Sequence, residues 1–547
     1  MKIRNLVLAL VIAGALPAAG QNSAKKNPAN VARPKLVVGL VVDQMRWDYL
    51  YRYYDRYQTG GFKRMLNEGF SCENTIIDYV PTVTAIGHSS IYTGSVPAIH
   101  GIAGNDFIIN ATGKTMYCTE DSTVTTVGSS SRAGKMSPRN LLANTIGDEL
   151  RLATNFRSKV IGIALKDRGS ILPAGHSATA AYWFDGGGKW ITSSYYMKEL
   201  PKWVTDFNNQ KFPEKYLKQD WNTLYDIKTY IQSTPDDTKY EGLFEGQTAP
   251  VFPIKTSQMF TKDFNIIRST PYGNSMTLDL AKAAIDKEQL GQGNVTDMLT
   301  VSLSSTDYVG HKFGVNAIET EDTYLRLDKD LAEFFTYLDA KVGRGNYTVF
   351  LTADHGAAHN IDFSKDNKLN SSKWSGSKVQ REMNKAIEDK FKVKDVVLSL
   401  MNAQVHFNYK LIKENDLDEE LIRKICISYL KTQPEIAFAV DLNNIANAPV
   451  PEEIKRRIIN GHAVHRSGGI QFILNPAVFS AGSNGTSHSA WNPYDSHIPL
   501  VWMGWGINSG RLTRQTNMTD IAATVAALLR IQMPNGSIGK PITEVLK

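Results

Sequence analysis

The sequence predicts an α/β protein: a mainly parallel β-sheet flanked by helices, with two insertions forming a lid or cap beside it. Three observations carry this. Four short runs, Lys35 to Val42, Lys159 to Leu165, Met298 to Ser305 and Tyr347 to Ala353, are almost continuously apolar and rich in β-branched residues, as in strands covered on both faces. Helical patterns lie between them, at Pro138 to Thr154, Ser275 to Leu290 and Glu319 to Val342, which suits βα units. Each run gives way to ionisable residues: Asp43; Lys166, Asp167 and Arg168; Asp307; Asp354 and His355. Open α/β sheets bind ligands off the carboxyl ends of their strands, so one rim is expected to collect these groups.

From the N-terminus, residues 1–20 read as a cleavable export signal: Lys2 and Arg4, an apolar run from Leu6 to Leu16, then small residues. A periplasmic or secreted protein is therefore expected. Residues 21–34 read as a flexible leader, and 35–172 as the first part of the core. Residues 173–264, rich in Trp, Tyr, Gly and Lys, read as an insertion containing a hairpin at AYWFDGGGKWITSSYY. The core resumes over 265–360 and again over 482–547, interrupted by a second insertion or cap over 361–481.

Composition excludes some classes. No stretch after the signal reaches the length of a membrane span. The formal charge is +7, or +5 without Lys2 and Arg4, and the charges are mixed along the chain. That favours small anionic substrates over nucleic acid, and a monomer is expected. Three cysteines make no disulfide scaffold; if one pair forms, Cys72 with Cys118 is the expected one.

The ligand types suit zinc, without excluding calcium or manganese. Asp307 and His311, four apart in TDYVGH, share a face if the segment is helical. In TADHG, Gly356 permits a turn that aims Asp354 and His355 inward. In PTVTAIGHSSIYTG, Thr84 falls near a helix start, where it reads either as an N-cap or as a nucleophile beside an anion site.

Six segments in order, VVDQMR, PTVTAIGHSSIYTG, HGIAGN, SSTDYVGH, TADHG and GTSHS, resemble the alkaline phosphatase superfamily, and within it the type I phosphodiesterase/nucleotide pyrophosphatase branch. The resemblance implies two Zn2+: one held by Asp307, His311 and His488, the other by Asp43, Asp354 and His355 beside Thr84. It also implies attack by Thr84 to give a phospho-threonine, then hydrolysis by water.

In ALKDRGS, alternation along an extended chain would put Lys166 and Arg168 on one side and Asp167 on the other. Two cations, with Asn105 as a hydrogen-bond donor, would favour a monoester dianion over a diester. The resemblance to a subgroup of single-chain alkaline phosphatases with a threonine nucleophile implies the same, and small phosphate monoesters are the expected substrates. The alternatives are a phosphodiesterase or nucleotide pyrophosphatase on the same scaffold, or a metal- or phosphate-binding protein without turnover. His359 and His497 are minor candidates for supporting the metal rim, and His88 and His100 are expected to be buried scaffold.

Overall fold

The computed structural model describes residues 31–547 apart from Lys262 and Ala481. The expected signal and most of the expected leader lie outside the described residues. In chain order the principal elements are β1 (Leu36–Val42), α1 (Thr84–Thr93), α2 (Ile146–Ala153), β2 (Val160–Ala164), α3 (Asp167–Ala174), β3 (Ala180–Phe184) and β4 (Trp190–Ser193). They continue with α4 (Tyr272–Lys287), β5 (Asp297–Leu303), α5 (Ser305–Phe313), α6 (Ile318–Leu338), β6 (Tyr347–Thr352), β7 (Leu500–Gly504) and α7 (Asp520–Leu529).

A ten-stranded sheet organises the molecule, and its middle runs β7-β6-β1-β5-β2-β3-β4. From β6 to β3 every pairing is parallel, and antiparallel partners, β7 and β4, close this stretch at either side. All residues of β1, β2, β5 and β6 are buried, which is why these strands read as unbroken apolar runs. Because they are parallel, their carboxyl ends emerge on one edge.

One expectation about organisation changes. The aromatic hairpin is no part of a lid: β3 pairs with β2 and carries β4 with it, so the core extends past residue 172. Trp190, Val204, Phe207, Leu217 and Trp221 are buried in the same apolar core as the sheet, so much of 173–264 is continuous with it. Residues 361–481 instead contain a separate four-stranded sheet, with its own apolar core around Met383, Ile387, Val405, Ile422, Cys426 and Phe472.

The expected Cys72–Cys118 pairing is absent: all three cysteines are free and buried. Cys72 ends the strand Phe70–Cys72 of the large sheet, whereas Cys118 follows the hairpin of Asp106–Ile109 with Lys114–Tyr117. Each thiol is buried in its own surroundings, and burial pushes that of Cys72 up to about 12.

Candidate metal centre and nucleophile

The four strand ends converge as their spacing implies. Asp43 directly follows β1, Lys166 caps α3 just beyond β2, Asp307 lies in the first turn of α5 beyond β5, and Asp354 with His355 follows β6. Two groups of potential metal ligands result, Asp307 with His311 and His488, and Asp43 with Asp354 and His355; within each, one donor atom per residue lies within 4.8 Å of the others. Asp307 and His311 share a helix face because α5 forms there.

The imidazoles are oriented for coordination. Nδ1 of His311 meets the Thr486 carbonyl at 2.9 Å, that of His488 the Thr82 carbonyl at 2.7 Å, and that of His355 the Gly356 carbonyl at 3.0 Å. A carbonyl only accepts, so each Nδ1 carries a proton and Nε2 is the ring atom turned toward the candidate ligand group. Those Nε2 atoms face carboxylates: His311 and His488 stand 3.1 and 3.7 Å from Asp307 Oδ1, and His355 stands 3.5 Å from Asp354 Oδ2. In the second group Asp43 Oδ1, Asp354 Oδ2 and His355 Nε2 are buried without any hydrogen-bond partner among the described residues. Buried polar atoms without partners are costly, and here one from each residue of a ligand set shares that condition.

Charge supports the same conclusion. Asp43, Asp307 and Asp354 are buried, and among the described lysines and arginines Lys166 alone is ion-paired to them: its Nζ lies 2.6 Å from Asp43 Oδ2 and 2.6 Å from Asp307 Oδ2, one carboxylate of each group. Burial, then the neighbouring Asp354 charge, pushes Asp43 well above the usual carboxylate range. At Asp307 burial acts the same way, but His311 and Lys166 outweigh it and hold the carboxyl well below that range. Burial pushes His488 well down, leaving it neutral and able to ligate. Carboxylate–imidazole donor sets of this kind, in a pocket with surplus negative charge, fit zinc.

Thr84 is buried at the first position of α1. The capping alternative fails for it, because the cap residue is Val83, extended and without a side-chain hydrogen bond to the helix. Its hydroxyl stands 3.5 Å from Lys166 Nζ. Asn105 Oδ1 accepts the N–H of Ala85, the residue after Thr84, at 2.9 Å, which commits the oxygen and leaves Nδ2 as the donor end of the amide. Gly87 lets α1 press onto the metal rim, since a Cβ there would meet the Asp354 carbonyl oxygen at 2.4 Å.

Lys166 and Arg168 line one hollow of about 260 Å³. The route differs from the extended alternation expected, because α3 begins at Asp167. Arg168 Nη1 donates to the Tyr117 hydroxyl at 2.9 Å, and that hydroxyl donates to Asp167 Oδ1 at 2.8 Å. Asp167 is therefore tied into the same network through Tyr117, and Thr119 adds a bond of 2.5 Å.

Gln44 is a site residue that sequence reasoning missed. Its backbone N–H donates to Asp354 Oδ1 at 3.1 Å and its Nε2 to Asp307 Oδ1 at 2.6 Å, joining the two ligand groups. A φ of +65° in a residue other than glycine marks a backbone held under strain at the site. The only sequence signal was its place directly after Asp43.

His88 is buried scaffold as expected, bridging the Thr84 carbonyl and Ser302, and also stands 3.3 Å from Asp354 Oδ2. His100 is likewise buried, bonded to Ser90. Neither minor candidate contacts a ligand: His359 bonds Asn316, and His497 bonds the Glu73 carbonyl and stacks on Trp47.

The family model for type I phosphodiesterase/nucleotide pyrophosphatase matches residues 37–498, which include every candidate ligand named above. The chain belongs to that family. Among relatives of this type I phosphodiesterase/nucleotide pyrophosphatase chain, a Myroides odoratus protein named calcium-transporting ATPase is 58% identical, over 94% of this chain and 95% of its own length. Alkaline phosphatase PhoV of Synechococcus elongatus is 53% identical over the whole of both chains. The crystal structure of wild-type alkaline phosphatase PafA matches with a TM-score of 0.93 at 53% identity, covering 94% of this chain and 100% of that one.

Proposed function

We propose that this chain is an exported, monomeric alkaline phosphatase that hydrolyses small phosphate monoesters, with Thr84 as nucleophile and two zinc ions held by Asp307, His311, His488 and by Asp43, Asp354, His355. The observation that carries the reading is the position of Lys166, bonded to one carboxylate of each ligand group and 3.5 Å from the Thr84 hydroxyl. When bound, the zinc ions supply positive charge that lowers the pKa of a hydroxyl or water and stabilises charge developing on oxygen.

The chain's own residues account for the rest. Lys166 and Arg168 give two cations to the non-bridging oxygens of a monoester dianion, and the free Nδ2 of Asn105 gives a donor. Tyr117 fixes the Arg168 guanidinium through its 2.9 Å bond. The Thr84 oxygen attacks phosphorus, the bond to the leaving alcohol breaks, and a phospho-threonine forms; water then cleaves that ester and restores the hydroxyl.

The names of PhoV and PafA support monoester hydrolysis. A diesterase would keep the ligands and Thr84 but has less use for Lys166 and Arg168. The calcium-transporting ATPase name shares phosphoryl-bond cleavage with this reading, and no helix among the described residues is long and apolar enough to cross a membrane. The test is the ratio of kcat/KM for an aryl phosphate and its methyl diester, measured with metal content. Preference for the monoester and two zinc ions per chain are expected; preference for the diester overturns the reading.

A further inference from the structure

Between the 361–481 segment and the core lies a cleft of about 530 Å³. Val80 and Pro81, which lead into Thr84, line it on the core side together with His488. Trp374, Leu400 and Asn402 line it on the other. Asn402 also closes the corner, donating from Nδ2 to the carbonyls of Ala103 at 3.3 Å and Asp106 at 2.9 Å, on either side of Asn105. The cleft therefore borders the chain segments that carry the nucleophile, the amide donor and one metal ligand.

Among the described residues, its lining contains no Asp, Glu, Lys or Arg. The other hollows around the centre differ: one contains Lys166 and Arg168, and the next, along Tyr308, contains Arg268, Lys312, Glu245 and Asp263. Charge is thus divided across the site, with cations where non-bridging phosphoryl oxygens bind and neutral walls beyond His488. A charged group entering those walls unpaired would pay a large desolvation penalty, whereas an aromatic ring would gain contact with Trp374 and Leu400. A volume of this size is typical of small-molecule sites.

Resting on the phosphatase reading, we propose that this cleft is the leaving-group subsite, and that it selects monoesters whose alcohol is uncharged and bears an aromatic ring. In-line displacement directs the leaving group away from the Thr84 hydroxyl, and the cleft meets the candidate centre at His488. The 361–481 segment then sets substrate preference without touching the phosphoryl group.

The test compares 1-naphthyl phosphate with ethyl phosphate in the zinc-loaded full chain, for wild type, Leu400→Asp and Ser377→Trp. The first variant puts a charge in the neutral wall. The second fills the cleft from an exposed position, which guards against loss through misfolding. Each variant is expected to lower kcat/KM for naphthyl phosphate by about tenfold or more, with less than about a twofold change for ethyl phosphate. Equal losses on both substrates, or no loss on either, overturn the proposal. So does a selective loss produced by Lys312→Glu instead, which would put the leaving group in the charged groove. If the wild type hydrolyses neither ester, the phosphatase reading itself fails.

Discussion

The Lys166 ammonium stands 3.5 Å from the Thr84 hydroxyl while paired to Asp43 and Asp307. One cation thus touches the nucleophile and both ligand groups, and Arg168 shares its hollow. Charge-assisted hydrogen bonds contribute about 1.5–3 kcal/mol each, and a monoester has more non-bridging charge to receive them than a diester. Replacing both residues with alanine should cut kcat/KM for an aryl monoester by about 10²-fold or more, and by about tenfold or less for the matching diester. Equal losses would remove these cations from the account of specificity.

Gln44 joins Asp307 to Asp354 through its side chain and backbone. Partners of this kind orient ligands without binding the metal, and losing one costs about 10–100-fold in metal affinity. Gln44→Leu should weaken zinc binding by that factor in a chelator competition. The loss of activity should be recovered as free zinc is raised. An unchanged affinity would make Gln44 packing alone.

Asp148 provides a pH signature away from the centre. It completes a capping box with Thr145 at the start of α2 and accepts from the backbone N–H and hydroxyl of Ser177, just beyond α3. Burial opposes its charge, yet the bonds from His176, Thr145 and Ser177 prevail and hold its pKa near 2 against an ordinary 3.8. A carboxyl depressed in the folded state stabilises above its unfolded pKa, and that stability is lost as pH falls through the folded value. The stability difference between wild type and Asp148→Asn should therefore be largest from about pH 5 up to the His176 titration, on the order of 2 kcal/mol from this linkage, shrink toward pH 2, and fall again as pH rises through the His176 pKa, which Asp148 raises. Denaturant melts across that range measure it, and a difference independent of pH would contradict it.

What the sequence revealed, and what it hid, follows from the range of each signal. β1, β2, β5 and β6 fall within about two residues of their apolar runs, because strands buried on both faces need no partner to be recognised. The expected helix from Pro138 to Thr154 is instead a short turn, Pro138–Asn140, followed by α2. The interruption was readable, since Thr145 and Asp148 have capping-box spacing. The β3–β4 hairpin was legible as a hairpin but not as part of the sheet, because its partner β2 lies in a separate segment. At the centre, Asp43, Asp307, His311, Asp354 and His355 followed from strand ends and helix spacing, whereas His488 came from the resemblance alone. Gln44 and the Tyr117–Arg168 bond depend on tertiary approach, which local pattern does not encode.

Thr84 is the residue proposed to take the phosphoryl group. The direct measurement is an acid quench of zinc-loaded enzyme during turnover of a phosphate monoester, followed by mass spectrometry of the digested chain. Phosphate on Thr84 in the wild type, none anywhere in Thr84→Ala, and a fall in kcat of about 10³-fold or more with both metals retained are expected. Phosphate trapped on another residue, or near-normal turnover by Thr84→Ala, would contradict the account.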